Sequence, residues 1–322
     1  MSRRGGVEVR RPAVYLGLAG VLALATALVP TTPAIAPPPA APVVAAPAVP
    51  PPACDQVVDS LRPLGPLPVP GEMPPGSTMA AIQQRQRLIA GVDQTKYLVG
   101  YRNPLTGQLE GTDIDIVRRI AQAIFGDPER VQFIVYDIAD RVKAVEEKQV
   151  DLVVNNFSVT CARQRSVEFS APYQLAQQRL LVPRGSGVRE VEDLAGATVC
   201  TSTGSTTERD LKALPVDMEV VTEAGIPDCV IRMQQGGVAA VSSDDIILAG
   251  LAAQDPQTEV VGRVLATAGY GVGMAKDAPD LVRFVNGVLE QGREDGTLEE
   301  SYRRWLGPQL DPAPPPEPRY RD

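Results

Sequence analysis

The chain has 322 residues, a formal net charge of −8, 44% apolar residues and no histidine. That length supports two packed domains. The lack of histidine removes Ser-His-Asp and Cys-His catalysis and most catalytic zinc sites. The acidic balance is sharper still beyond Arg3, Arg4, Arg10 and Arg11, and it repels nucleic acid at long range.

In chain order, those arginines precede an apolar run over 12–29, and Ala34-Ile-Ala36 offers a small-x-small cleavage site. Residues 1–36 read as an export segment, either cleaved or retained as a membrane anchor, which places the body outside the cytoplasm. Residues 37–79 are proline-dense and read as an extended spacer, because proline blocks propagation of helix and sheet. The tail over 311–322 has the same character and is expected to be disordered.

The body alternates strands and helices. Strands are predicted over 87–92, 131–136 and 151–154, with helices over 111–125 and 140–148. Ile116, Ile120 and Ile124 recur at helical spacing beside Val117, and Thr112 with Asp115 resembles a capping box. The rhythm repeats with strands over 197–201, 218–221 and 238–241 and helices opening at 204 and spanning 227–235. A strand over 270–274, a helix over 281–292 and a closing helix over 298–305 follow. This pattern predicts an α/β fold with covered sheets.

One stretch carries the chemistry. The apolar run 151–154 leads to hydroxyls at Ser158 and Thr160 and a guanidinium at Arg163, and a second strand-like stretch ends in Phe169-Ser-Ala-Pro-Tyr173. Hydroxyls with a forked guanidinium at a strand end suit a small carboxylate. The neighbouring Arg165 reads as surface charge. Gly204-Ser-Thr206 opens a helix after a strand, where free N–H groups attract anions. It lacks the Gly-Lys-Ser/Thr signature of a phosphate loop.

With these motifs in this order, the chain resembles the extracellular solute-binding proteins of ABC transporters for polar and acidic amino acids. The matching segments are Leu88-Ile-Ala-Gly-Val-Asp93, Gly111-Thr-Asp-Ile-Asp-Ile116, Gln149-Val-Asp-Leu-Val153, Ser158-Val-Thr-Cys-Ala-Arg163, Val167-Glu-Phe-Ser-Ala-Pro-Tyr173, Asp193-Leu-Ala-Gly196, Gly204-Ser-Thr206 and Tyr270-Gly-Val-Gly-Met274. The resemblance implies a two-lobe periplasmic-binding-protein fold with two strand crossovers and a ligand cleft between the lobes. Lobe 1 is expected at 80–181 plus 270–310, and lobe 2 at 182–269. Four cysteines outside the cell are expected to pair. Cys200 with Cys229 is favoured because both fall in lobe 2, which leaves Cys54 with Cys161.

By resemblance, Arg163 grips the ligand α-carboxylate, helped by Ser158, Thr160, Ser205 and Thr206. Asp244 balances the ammonium, with Asp245 as the competing candidate. Asn156 stands where the family presents a backbone carbonyl to that ammonium, usually from glycine or alanine. Asp93 lies where the family reads the distal group of the ligand. Lys96 replaces an aromatic common near that position; it and Arg141 offer to neutralise a distal carboxylate, and Ser202 and Thr203 offer hydroxyls. The opposition between Asp93 and a carboxylate keeps glutamine and asparagine beside glutamate and aspartate.

The implied function is capture of a free polar or acidic L-amino acid, without catalysis, cofactor or metal, and its delivery by a monomeric protein to a membrane permease. The alternatives are a sensing module that signals to a membrane kinase and an enzyme on the same fold.

Overall fold

The structure, a computed structural model, describes residues 59–310 and 316–322. The elements in chain order are β1 (Ser60–Leu61), α1 (Thr78–Gln84), β2 (Leu88–Val92), β3 (Thr95–Lys96), β4 (Gly100–Arg102), β5 (Leu109–Glu110), α2 (Thr112–Phe125) and β6 (Val131–Val135). Next come α3 (Arg141–Glu146), β7 (Leu152–Val153), α4 (Cys161–Gln164), β8 (Val167–Phe169), β9 (Gln174–Pro183), β10 (Thr198–Ser202), α5 (Thr206–Ala213), β11 (Glu219–Glu223) and α6 (Ile226–Gln234). The chain closes with β12 (Ala240–Asp244), α7 (Asp245–Gln254), β13 (Thr258–Tyr270), β14 (Gly273–Ala275), α8 (Pro279–Glu294), α9 (Thr297–Trp305) and β15 (Tyr320–Arg321).

Two five-stranded sheets form the two lobes. Lobe 1 has the order β6-β2-β7-β14-β8, and lobe 2 has β11-β10-β12-β9-β13. The β2 strand runs parallel to β6 and β7, and β10 runs parallel to β11 and β12, as strand–helix–strand units require. The return strands are antiparallel: β14 beside β7 and β8, and β9 beside β12 and β13. The long β9–β13 pair runs from Thr258↔Pro183 to Tyr270↔Gln174, and both strands connect onward to lobe 1. Gln178 is already paired with Asp244 in the lobe 2 sheet, so residues 178–181 belong to lobe 2.

The apolar spacing of α2 survives as a buried stripe of Ile116, Val117, Ile120 and Ile124. Its predicted capping box does not form. Gly111 holds the N-cap position at φ 124, so close to Val99 that a Cβ would lie 2.3 Å from the Val99 carbonyl oxygen. Thr112 is thereby the first helical residue, and Asp115 instead accepts from Ser301 (2.6 Å) and Trp305 Nε1 (2.8 Å). In α8, Leu281, Phe284, Val285, Val288 and Leu289 are buried as expected. In lobe 2, Cys200 and Cys229 form a disulfide that ties β10 to α6. Cys161 is disulfide-bonded too, and Cys54, its expected partner, lies outside the described residues.

Two segments depart from the reading as an extended spacer and a disordered tail. Within the predicted spacer, residues 59–79 pack on lobe 1. Ser60 Oγ donates to the Phe169 carbonyl (2.7 Å), Asn286 Nδ2 donates to the Leu61 carbonyl (2.7 Å), Met73 is buried, and Thr78 bonds Asp280. Met73 and Met79 are buried in the core and Leu61 and Leu67 pack partly against it, whereas Leu64 and Val69 stay exposed. In the predicted tail, β15 pairs parallel with β1. Charge holds it there: Arg321 reaches Glu168 (2.9 Å) and Arg319 reaches Asp59 (3.3 Å). The predicted export segment and the first part of the spacer lie outside the described residues. Among the described residues no helix is long and apolar enough to cross a membrane.

Candidate functional site

The lobe 1 side of the site is built around residues 155–158, which follow β7. Asn156 adopts φ 37, a left-handed conformation that asparagine tolerates better than most residues. The buried Asp113 holds the turn by accepting from the Asn156 backbone N–H (2.6 Å) and the Tyr173 hydroxyl (2.7 Å). Burial raises Asp113 to about 6 despite these two bonds. Arg141, 2% exposed, donates to the carbonyls of Asn155 (2.6 Å), Asn156 (3.1 Å) and Ile138 (3.0 Å). The carbonyl that the resemblance assigned to a ligand ammonium therefore accepts from a guanidinium here.

Lys96, 2% exposed, has three N–H donors and three acceptors: Asp93 Oδ2 (2.8 Å), Asn156 Oδ1 (2.8 Å) and Asn155 Oδ1 (3.0 Å). Desolvation lowers its pKa, and the nearby Asp93 charge works against that shift. Asp93 in turn accepts from the backbone N–H and hydroxyl of Thr95 (2.6 and 2.7 Å). Asp93, Lys96, Arg141 and Asn156 thus belong to one buried network.

Arg163 lies in α4, a single turn capped by the Thr160 hydroxyl, which accepts from the Arg163 backbone N–H (3.2 Å). Its guanidinium donates to the Ser158 carbonyl (2.8 Å) and lies 5.1 Å from the Phe157 ring centroid; Arg141 lies 4.5 Å from the same ring. Burial lowers Arg163 to about 10 and Arg141 to about 9. The described partners of both guanidiniums are carbonyls and this ring, with no carboxylate among them.

The lobe 2 side is the start of α5 and the end of β12. Ser205 caps α5 by accepting from the Glu208 N–H (3.0 Å), and it donates to the Ser202 carbonyl (2.6 Å), so its hydroxyl is engaged within the helix start. Thr206 follows at the first helical position. Ser202 Oγ is buried with no partner. Asp244, 7% exposed, accepts from the Tyr270 hydroxyl, and burial raises it to about 6 against the effect of that bond. Its neighbour Asp245 points elsewhere, accepting from the Gln177 backbone N–H on β9 (3.0 Å), which separates the two candidate aspartates.

The lobes touch at this site. Arg163 Nη2 reaches the Gly204 carbonyl (3.4 Å), and the hydroxyls of Ser158 and Thr206 are 3.4 Å apart. The Asp244 charge is near enough to strengthen proton binding by Arg163. The structure therefore brings Arg163, Ser158, Thr206 and Asp244 together across the lobes, beside the Asp93–Lys96–Asn156–Arg141 network. Thr160 and Ser205 serve as helix caps. Sequence reasoning missed Tyr270, Asp113 and Asn155. Tyr270 and Asp113 were visible only within segments that carry the resemblance, with no role attached to either side chain. A guanidinium and helix-start N–H groups facing a buried carboxylate can hold a molecule bearing both charges.

The chain is 30% identical over 237 residues to the ABC transporter glutamine-binding protein of Bacillus subtilis, covering 73% of this chain and 86% of that one. It is 26% identical to the glutamate-binding protein of Corynebacterium efficiens, covering 74% and 84%. In structure it is similar to the solute receptor for L-cysteine of Neisseria gonorrhoeae, with TM-score 0.69, 25% identity and coverage of 73% and 96%. An ancestral arginine-binding protein bound to glutamine matches with TM-score 0.64, 28% identity and coverage of 69% and 99%. Residues 88–308, which hold both sheets and every group just described, match the bacterial extracellular solute-binding proteins, family 3, and the chain belongs to that family.

Proposed function

We propose that the protein captures a polar L-amino acid outside the cell and delivers it to an ABC permease. Arg163, with Ser158 and the N-terminal turn of α5 at Thr206, takes the α-carboxylate. Asp244 takes the ammonium, and Ser202 Oγ offers an unpaired hydroxyl to the ligand. The observation that carries this reading is the meeting of Arg163 with Gly204 across the lobes beside the buried Asp244. A dipolar ligand binds the closed arrangement more tightly than the open one, which is the condition for ligand-driven closure. The relatives named for glutamine binding in an ABC transporter and for glutamate binding support the ligand class.

The distal subsite is formed by Asp93, Lys96 and Arg141. The charges of Asp93 and Asp113 both act on these two cations, and all three Lys96 N–H donors are engaged, so charge alone does not select an acid over its amide there. Calorimetric titration with L-aspartate, L-glutamate, L-asparagine and L-glutamine tests the assignment. All four are expected to bind, with less than about tenfold between each acid and its amide. Failure of all four to bind the wild type would refute the assignment. The N-terminal segment would hold the body at the outer face of the membrane as an anchor or release it after cleavage. Mass spectrometry of the mature chain distinguishes the two.

A further inference from the structure

Both contact lines between the lobes carry a glycine on the lobe 2 side. At one, Gly204 has φ +70, and a Cβ there would lie 3.3 Å from Cα and Cβ of Ala139. The backbone conformation alone accounts for that glycine. At the other, Gly250 lies inside α7, where its backbone makes no such demand. Glycine in a helix interior is a poorer choice than alanine, so its presence there calls for a packing reason.

The reason lies in lobe 1. A Cβ on Gly250 would lie 2.4 Å from the Tyr97 carbonyl oxygen and 3.7 Å from Tyr97 Cβ. Tyr97 belongs to the turn between β3 and β4, and β3 touches both α6 and α7. Buried residues from both sides, Leu98 and Val99 with Val230, Ile247 and Leu251, fall in one apolar cluster. The turn has little room to yield. Leu98 is fixed at φ 72, and the Tyr97 ring packs edge-on against Tyr101 (4.9 Å), which packs edge-on against Trp305 (6.2 Å).

We propose that Gly250 is the seat on which the lobe 1 turn rests when the lobes close. Its missing side chain sets the spacing at which Arg163 meets Gly204 and Ser158 meets Thr206 on the opposite rim. The inference rests on the ligand-cleft reading above, and it assigns control of affinity to a residue that touches no ligand. A side chain at 250 props the lobes apart. The closed population falls, and the apparent affinity of every ligand falls by the same factor.

Gly250→Ala and Gly250→Val test this by titration, by melting of the ligand-free protein and by small-angle scattering. For Gly250→Ala the expected result is a loss of about tenfold for each ligand that the wild type binds, with relative preferences unchanged. Gly250→Val is expected to lose more, and neither variant is expected to compact fully at saturation. The ligand-free melting temperature of Gly250→Ala is expected to hold or rise by roughly a degree, because alanine favours the helix. Affinity within twofold of wild type would overturn the proposal, as would a ligand-free melting temperature that falls together with affinity, since that marks ordinary packing within lobe 2. A wild type that binds no amino acid would instead reject the cleft reading, and the seat with it.

Discussion

Arg163 and Asp244 are each held where burial opposes their charge. Arg163 is lowered to about 10, and Asp244 is raised to about 6 from an ordinary 3.8. A ligand carboxylate and ammonium would relieve both. Arg163→Ala removes charged hydrogen bonds worth roughly 1.5–3 kcal/mol, so affinity for every ligand should fall about tenfold or more by calorimetry. Unchanged affinity would reject its role. Asp244 gives a pH dependence of definite sign. With the folded pKa above the unfolded one, this group stabilises the ligand-free protein below about pH 4, and that contribution is lost as pH rises through about 6. The buried Asp113, also raised to about 6, acts in the same direction. A bound ammonium favours ionised Asp244, so affinity should climb between pH 5 and pH 7, by at most tenfold per pH unit, and flatten above. Titrations at three pH values check this, and Asp244→Asn should remove the slope. At this scale short motifs placed Arg163, Thr206 and Asp244 at strand and helix ends, and their ligand roles came from the resemblance. The contacts of Asn156 and Lys96 were not legible. They depend on Asp93, Asn155 and Asp113, which are distant in sequence and meet only through the fold.

Among the elements, amphipathic helices and short buried strands were readable from their periods. The helix α7 was not: Ile246, Ile247, Leu248 and Leu251 are buried all round it, so no polar stripe marks its period. The long β9–β13 ribbon was hidden because pairing over many intervening residues has no local signature. The β1–β15 pair joins the two ends of the described chain through a few charged residues among prolines, a composition that otherwise signals disorder. The disulfide between Cys200 and Cys229, 29 residues apart, closes a loop within lobe 2. Replacing both by alanine should cost roughly 3–4 kcal/mol by loop entropy and lower the melting temperature by roughly 10 °C. Amino-acid binding at room temperature should persist, because neither sulfur faces the site. Calorimetric melting and titration of the double variant read both effects.

Across the whole molecule, two lobes of similar construction are joined by strands that pass between their sheets, and the groups proposed to hold the ligand are divided between them. Lobe 1 brings Arg163, Ser158 and the Lys96 network; lobe 2 brings Asp244, Thr206 and the N-terminal turn of α5. On the proposed reading neither lobe alone would hold a zwitterion at both ends, which would make occupancy and closure one event. The most direct measurement compares L-glutamate with glutarate, which lacks the ammonium, and with 4-aminobutyrate, which lacks the α-carboxylate. Each is titrated calorimetrically, with scattering recorded at saturation. L-Glutamate should bind and compact the protein, and each analogue should bind about a hundredfold more weakly or not at all. Glutarate or 4-aminobutyrate binding within a few-fold of L-glutamate, with the same compaction, would contradict the account.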